Sequence, residues 1–222
     1  MSDIILSAHN MCLSRYQNRL LDNITITFTK GKTTAVMGHN GAGKTLFLRA
    51  LHGLEVLETG VVTFNSALSQ KMVFQKPVLL RRRANAHFKF ATGITDEDII
   101  THWFEKAGLS DRMTAPARHL SSGESQKLAL ISAIAARPDI LFLDEPTANL
   151  DAESRQDIET LITKAKENGM TLIMITHSFA QATRLSDNLL FLHQGRLLDN
   201  ALATDYLAGN CSQEATAFLS DL

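Results

Sequence analysis

The sequence predicts an α/β protein built on a parallel sheet with helices on both faces. Three observations carry that expectation. The short apolar segments Thr33–Met37, Ile140–Leu143 and Thr171–Ile175 have the texture of strands buried on both sides. Segments with helical periodicity separate them, as the crossovers of a parallel sheet require. The first of these strands also runs straight into a glycine-rich turn that opens a helix, Gly38 to Thr45.

The elements follow in order. Ile4–Met11 is apolar-rich, and Asn23–Thr29 alternates with period two and is rich in β-branched residues, so both read as strands. Lys30-Gly31-Lys32 turns the chain into the Thr33–Met37 strand. Leu46–Leu54 reads as a helix with Gly53 near its end, and Val61–Phe64 and Lys71–Phe74 as short strands. After Pro77 the strand signal nearly vanishes until about Ala136. Within that stretch a helix starts at Thr95, as a Thr cap followed by acids in the first turn. It carries Ile99, Ile100, Trp103, Phe104 and Ala107 on one face and stops at Gly108. Trp103 on such a face belongs to the core. Glu124–Arg137 is a further helix, ended by Pro138. Ala152–Asn168 and Phe179–Leu185 read as helices. Asn188–His193 and Arg196–Leu198 form a hairpin turned at Gly195.

The chain has 222 residues, with 22 Lys and Arg against 23 Asp and Glu, a net charge of −1; 45% of residues are hydrophobic and 20% charged. That composition excludes a disordered or fibrous chain and argues against a broad nucleic-acid footprint, which needs a clustered basic excess. No run approaches the ~18 apolar residues of a spanning helix. The N-terminus lacks the basic stretch and apolar core of a secretory signal. Cys12 and Cys211 lie far apart without CxxC spacing, as idle thiols in a reducing compartment do. The expectation is a soluble, cytoplasmic chain whose membrane role, if it has one, comes through a partner.

Gly38-His39-Asn40-Gly41-Ala42-Gly43-Lys44-Thr45 matches the phosphate-binding pattern G-x-x-x-x-G-K-[ST] in full. The glycines let backbone N–H groups curl inward toward phosphate oxygens, and the helix N-terminus adds its positive field. Lys44 reaches β- and γ-phosphates, and the Thr45 hydroxyl is placed to ligate Mg²⁺. The His39 side chain is expected to point away. Asp144 and Glu145 end an apolar strand: Asp144 suits Mg²⁺ held through water, and Glu145 suits a base that polarises water for attack on the γ-phosphate. The other histidines show no metal-ligand spacing.

Leu120-Ser121-Ser122-Gly123-Glu124, leading into a helix ahead of that strand, resembles the signature of ATP-binding cassette (ABC) ATPases, usually Leu-Ser-Gly-Gly-Gln. The resemblance covers essentially the whole chain. It marks Gln75 as the Q-loop glutamine, which senses Mg²⁺ and water, and Ala148-Asn149-Leu150-Asp151 as the D-loop. His177 stands as the switch histidine at the γ-phosphate, and Tyr16 as the aromatic that stacks on adenine. It implies a P-loop NTPase (RecA-like) core, about 1–76 and 131–222, with an inserted α-helical subdomain, about 77–130, and an N-terminal antiparallel β-subdomain. Two departures stand out. Ser122 replaces the usual glycine, and Leu46 stands where most of the family has a hydroxyl near the α-phosphate. Residues 41–54, 73–82 and the tail resemble the tungstate-type branch of oxyanion importers.

The resemblance therefore implies an ATP hydrolase using ATP and Mg²⁺ that powers uptake of an oxyanion, tungstate first and molybdate or phosphate next. The expected ligand set joins Tyr16, Gly38 to Leu46, Ser121 to Glu124 and Asp151. Glu145, His177 and Gln75 carry catalysis, and Thr45, Gln75 and Asp144 hold the metal. It further implies a head-to-tail dimer in which each signature helix faces the ATP of the other chain. The other partners are membrane permease subunits and, indirectly, a secreted or periplasmic binding protein. No nucleic acid is expected, and the location is the cytoplasmic face of the membrane. Pro77 to Leu80 and Arg81-Arg82-Arg83 lie where the permease is met. With only about 45 residues after His177, no C-terminal regulatory domain is expected. An exporter or lipoprotein-release ATPase, or a soluble ABC switch, are the alternatives; a small-molecule kinase has no use for the signature.

Overall fold

The computed structural model describes residues 3–16, 18–65 and 67–220. Two sheets form the frame. In the first, β1 (Ile4–Arg15) pairs antiparallel with β2 (Asn18–Thr29) on one side and β4 (Thr59–Phe64) on the other. The second sheet has the order β5 (Gln70–Val73), β6 (Ile140–Asp144), β7 (Thr171–Ile175), β3 (Thr33–Met37), β8 (Asn188–His193) and β9 (Arg196–Leu202). All its pairs are parallel except β8 with β9, the expected hairpin. The α/β fold and the antiparallel N-terminal sheet are as the sequence predicts.

The period-two geometry of the buried strands divides the core in two. Leu141, Leu143, Leu172, Met174 and Phe191 face one cluster, which also holds Phe88, Phe104, Ile131 and Phe218 from the helices. Ile140, Phe142, Ile173, Ile175 and Leu192 face the other. There they meet Phe47 and Leu48 of α1 (Lys44–His52) and the antiparallel sheet through Leu6, Met11 and Phe28. Strands apolar at every position are thus buried on both faces.

The connection from β5 to β6 carries α2 (Ala84–Thr92), α3 (Glu97–Lys106), two short 3-10 turns and α4 (Ser122–Ala135). After β6 come α5 (Ala152–Glu167) and, past β7, α6 (Phe179–Leu185); α7 (Ala203–Leu207) and α8 (Gln213–Ser220) follow β9.

Several sequence expectations need correction. β1 and β2 are much longer than predicted. Asn10 and Asn23 take φ of 49° and 50° beside irregularities in the pairing, so the alternation breaks while the strands continue. The cap of α3 is Asp96, not Thr95: its carboxylate accepts from the N–H of Asp98 (2.9 Å) and Ile99 (3.2 Å). Ile99 is exposed, and the buried face is Ile100, Phe104 and Ala107. Trp103 is half-buried at the edge of the core, under the Lys106 ammonium. α7 and α8 have no counterpart in the sequence reading, and α2 falls within the expected helical stretch of about 77–130 without being placed there as a separate helix. α2 and α7 start without a side-chain cap bond, so the usual punctuation is missing there. α8 does carry a cap, Ser212 Oγ accepting from the Ala215 N–H at 3.2 Å, but it is too short to show a strong period.

Candidate active site

The C-terminal ends of adjacent parallel strands converge on one edge of the second sheet, the usual ligand edge of such sheets. The loop after β3 holds the glycine-rich turn, the end of β6 the two acids, the loop after β7 His177, and the loop after β5 Gln75. A cleft of about 480 Å³, lined among others by Arg15, Asn40, Lys44, Thr45 and Glu145, opens there. That is an ordinary size for a small-molecule site.

The turn after β3 is possible only with glycine at its first position. Gly38 has φ of 143°, and a Cβ there would lie 2.0 Å from the carbonyl oxygen of Leu192. Gly43 then caps α1 at φ 97°. Lys44 is buried, and its ammonium donates to the carbonyl oxygens of Gly38 (2.8 Å) and His39 (2.9 Å). Burial pushes its pKa below the usual lysine value, while the Glu145 and Asp144 charges pull it back up. The cation is therefore held over the loop it serves, by bonds a phosphate can replace.

Thr45 donates its hydroxyl to Asp144 Oδ1 at 3.0 Å. Asp144 is 3% exposed, and burial raises its pKa above the ordinary carboxylate value; the Thr45 hydroxyl opposes that rise and the Glu145 charge adds to it. Glu145 leaves β6 with φ of 48°. Its carboxylate accepts from Gln75 Nε2 at 2.8 Å and meets His177 Nε2 at 2.8 Å. The structure thus brings together Gln75, Glu145 and His177, three residues far apart in sequence, beside the Thr45–Asp144 pair.

Other predicted residues stand differently. Asn40, Gly41 and Leu46 line the cleft, Leu46 half-buried against the N-terminal core. Ala42 is buried and donates its N–H to the His39 carbonyl. The His39 ring turns away, as expected: it packs edge-on against Phe218 of α8, with ring centroids 4.8 Å apart, and lies near His193. Tyr16 stands at the β1–β2 turn, 98% exposed, beside Arg15.

Ser121, Ser122, Gly123 and Glu124 begin α4 and do not line the cleft. Ser121 and Glu124 cap each other reciprocally: Glu124 N–H donates to Ser121 Oγ (3.2 Å), and the Glu124 carboxylate accepts from Ser121 N–H (2.7 Å). Arg112 Nε also donates to Glu124, at 2.6 Å. Burial pushes the Glu124 pKa up, but these bonds outweigh it and hold the group below its usual value. Gly123 abuts α5, where a Cβ would come 2.5 Å from Ser154 Oγ. Asp151 caps α5 by accepting from the N–H (2.8 Å) and hydroxyl (2.9 Å) of Ser154. Within one chain, these two helix starts stay apart from the cleft.

Sequence reasoning missed Arg15 and Arg19, which line the cleft and pair with Glu55 (2.6 Å) and Glu58 (3.4 Å). Their position flanking Tyr16 was the one available signal. It also missed Thr147, Glu159 and Gln181, which line a second cavity of about 280 Å³ with Glu145 and His177.

The ABC transporter family model matches residues 21–148. The tungstate uptake system ATP-binding protein TupC of Peptoclostridium acidaminophilum is 33% identical over 86% of this chain and 96% of its own length. The aliphatic sulfonates import ATP-binding protein SsuB of Yersinia pestis is also 33% identical, over 85% of this chain and 73% of its own. Among solved structures, a dimeric ATP-binding cassette in a post-hydrolysis state with ADP and phosphate superposes with a TM-score of 0.80 at 20% identity. That superposition covers 90% of this chain and 99% of the other.

Proposed function

Because the chain belongs to the ABC transporter family as an ATP-binding, ATP-hydrolysing subunit, we propose that it powers uptake of an oxyanion, tungstate foremost, through a separate permease. Both relatives described above carry names of uptake or import systems, and tungstate and sulfonates share oxyanion chemistry. That supports import over the export and soluble-switch alternatives. The chain has no helix long and apolar enough to cross a membrane among the described residues, so the path for the ion would lie in the permease. The working unit would be a pair of chains, since Ser121 to Gly123 and Asp151 stand apart from the P-loop of their own chain. A secreted or periplasmic binding protein would deliver the ion, and the site of action would be the cytoplasmic face of the membrane.

The observation that carries the reading is the Glu145 carboxylate, held between Gln75 and His177 next to Thr45 and Asp144. Lys44 would exchange its two carbonyl partners for β- and γ-phosphate oxygens, and Tyr16 would close on the base. Thr45 Oγ and, through water, Asp144 would hold Mg²⁺ beside Gln75. One hydroxyl and one buried carboxylate fit an ion that takes its remaining ligands from water and phosphate. Mg²⁺ supplies neutralisation of the phosphate charge. Glu145 takes the proton of the attacking water, and His177 stands beside that transfer. The groove of Pro77, Val78, Leu80 and Phe90 would take the permease.

Glu145→Gln tests the chemistry. The carboxamide keeps the shape and a hydrogen bond to Gln75 but cannot take a proton. Nucleotide binding should persist while phosphate release falls about 10²–10³-fold, or roughly 3–4 kcal/mol of barrier. Near-wild-type turnover would place the base elsewhere.

A further inference from the structure

Gln181 occupies a position that neither the P-loop nor the acid pair explains. It sits in the first turn of α6 and is 2% exposed, yet its side chain is fully occupied by polar partners. Its Oε1 accepts from the Thr176 hydroxyl at 2.6 Å. Its Nε2 donates to the Thr147 hydroxyl at 3.0 Å and to Glu159 Oε1 at 2.8 Å. Glu159, on α5, is itself tied by its other oxygen to Arg184 of α6. Thr176 in turn accepts the N–H of Ser178, the cap of α6, at 3.1 Å.

Two of the three partners of this one amide fall on two loops. Thr147 lies two residues after Glu145 on the chain leaving β6; Thr176 immediately precedes His177 on the chain leaving β7. β6 and β7 are parallel neighbours with Asp144 opposite Ile175, so the loops part just where the ladder ends. Beyond that point the sheet no longer fixes the separation of Glu145 and His177. The Gln181 amide spans the gap, and Glu159 anchors it from a third element.

We propose that Gln181 is a positioning residue for ATP hydrolysis: by bridging Thr147 and Thr176 it holds the Glu145 carboxylate and the His177 ring in register, with Glu159 fixing the orientation of its amide. This rests on the reading of Glu145 as the base. Facing Thr147, Thr176 and an ionised Glu159 at once calls for one acceptor and two donors, which a carboxamide provides; a carboxylate can take the two hydroxyls but has no proton for Glu159. Displacing a reacting group by about 1 Å is enough to cost on the order of 10²-fold in rate.

The test is Gln181→Glu with Glu159→Gln as its partner. A carboxylate at 181 faces Glu159 across the present 2.8 Å contact, and the two hold together only by sharing a proton. The other charged groups around the pair are Arg184 from α6, Arg155 from α5, and Glu145 and His177 from the strand ends. In the purified ATPase, Q181E should lower kcat about 10–100-fold at pH 8, with recovery toward pH 6, while KM for ATP changes less than about 3-fold. The double variant Q181E/E159Q restores donor–acceptor complementarity in reverse and should regain kcat and lose the added pH dependence. Wild-type kcat in Q181E across that range would overturn the proposal. So would a fall in kcat with a parallel rise in KM, independent of pH and unrelieved in the double variant, since that is what a merely structural residue gives. E145Q measured alongside separates the premise: if it turns over normally, the reading of Glu145 falls and this assignment falls with it.

Discussion

Replacing Gly38 by alanine should destabilise the nucleotide-free chain by about 3–5 kcal/mol, well beyond what backbone conformation alone explains. The φ of 143° is costly for any residue with a Cβ, about 1–3 kcal/mol. The remainder comes from contact: the new Cβ would lie 2.0 Å from the Leu192 carbonyl oxygen and 3.1 Å from its carbon. Those are backbone atoms of β8, which pairs with β3 on one side and β9 on the other. β8 therefore retreats only by stretching ladder hydrogen bonds, each worth about 1 kcal/mol net. Gly41, in the same loop with φ of 79°, has open space where a Cβ would go, with nothing within 4 Å, so Gly41→Ala should lose only about 1 kcal/mol. At about 2–4 °C per kcal/mol for a chain of this size, Gly38→Ala should melt roughly 6–20 °C below wild type. Urea or thermal unfolding monitored by circular dichroism, without nucleotide, reads the difference. Equal losses for the two variants would refute the contact as the reason for glycine at 38.

Asp144→Asn should stabilise the nucleotide-free chain at pH 7, by about 0.5–2 kcal/mol, while removing Mg²⁺-dependent turnover. Because burial raises the Asp144 pKa, the contribution of this one group to stability is fully present below the ordinary carboxylate range and is lost as pH rises through the raised value. The gain from asparagine should therefore vanish in acid, and a gain independent of pH would refute it. Gly123→Ala should cost about 1–3 kcal/mol by driving Ser154 from Asp151, with Ser154→Gly recovering part of it; an unrelieved double variant would point to another cause. Leu79 packs on the main core, so permease coupling is better probed at the exposed Val78 and Phe90. Val78→Asp with Phe90→Asp should leave basal ATPase intact and abolish its stimulation by permease in vesicles, and full stimulation would remove the groove from the interface.

The chain's own periodicity determined much of this protein. Strands apolar at every position become buried on both faces wherever they pair, so β3, β6 and β7 were legible to within a residue. The P-loop, the acid pair at the end of β6 and the helix start at Ser121 were legible too, because each depends on neighbours a few residues away. What only the tertiary structure decided depends on residues brought together from afar. The Leu192 oxygen that requires glycine at 38 lies on another strand. The Glu145 carboxylate finds Gln75 and His177 because the strand order sets β6 between β5 and β7. The His39 ring is drawn away from the cleft by Phe218, which α8 brings back from the far end of the sequence. Gln181 looks like one more polar residue on a short helix until the fold buries it among Thr147, Thr176 and Glu159. Local rules fix backbone conformation and which face is apolar; the partners of a buried polar group follow from packing, which no short window of sequence contains.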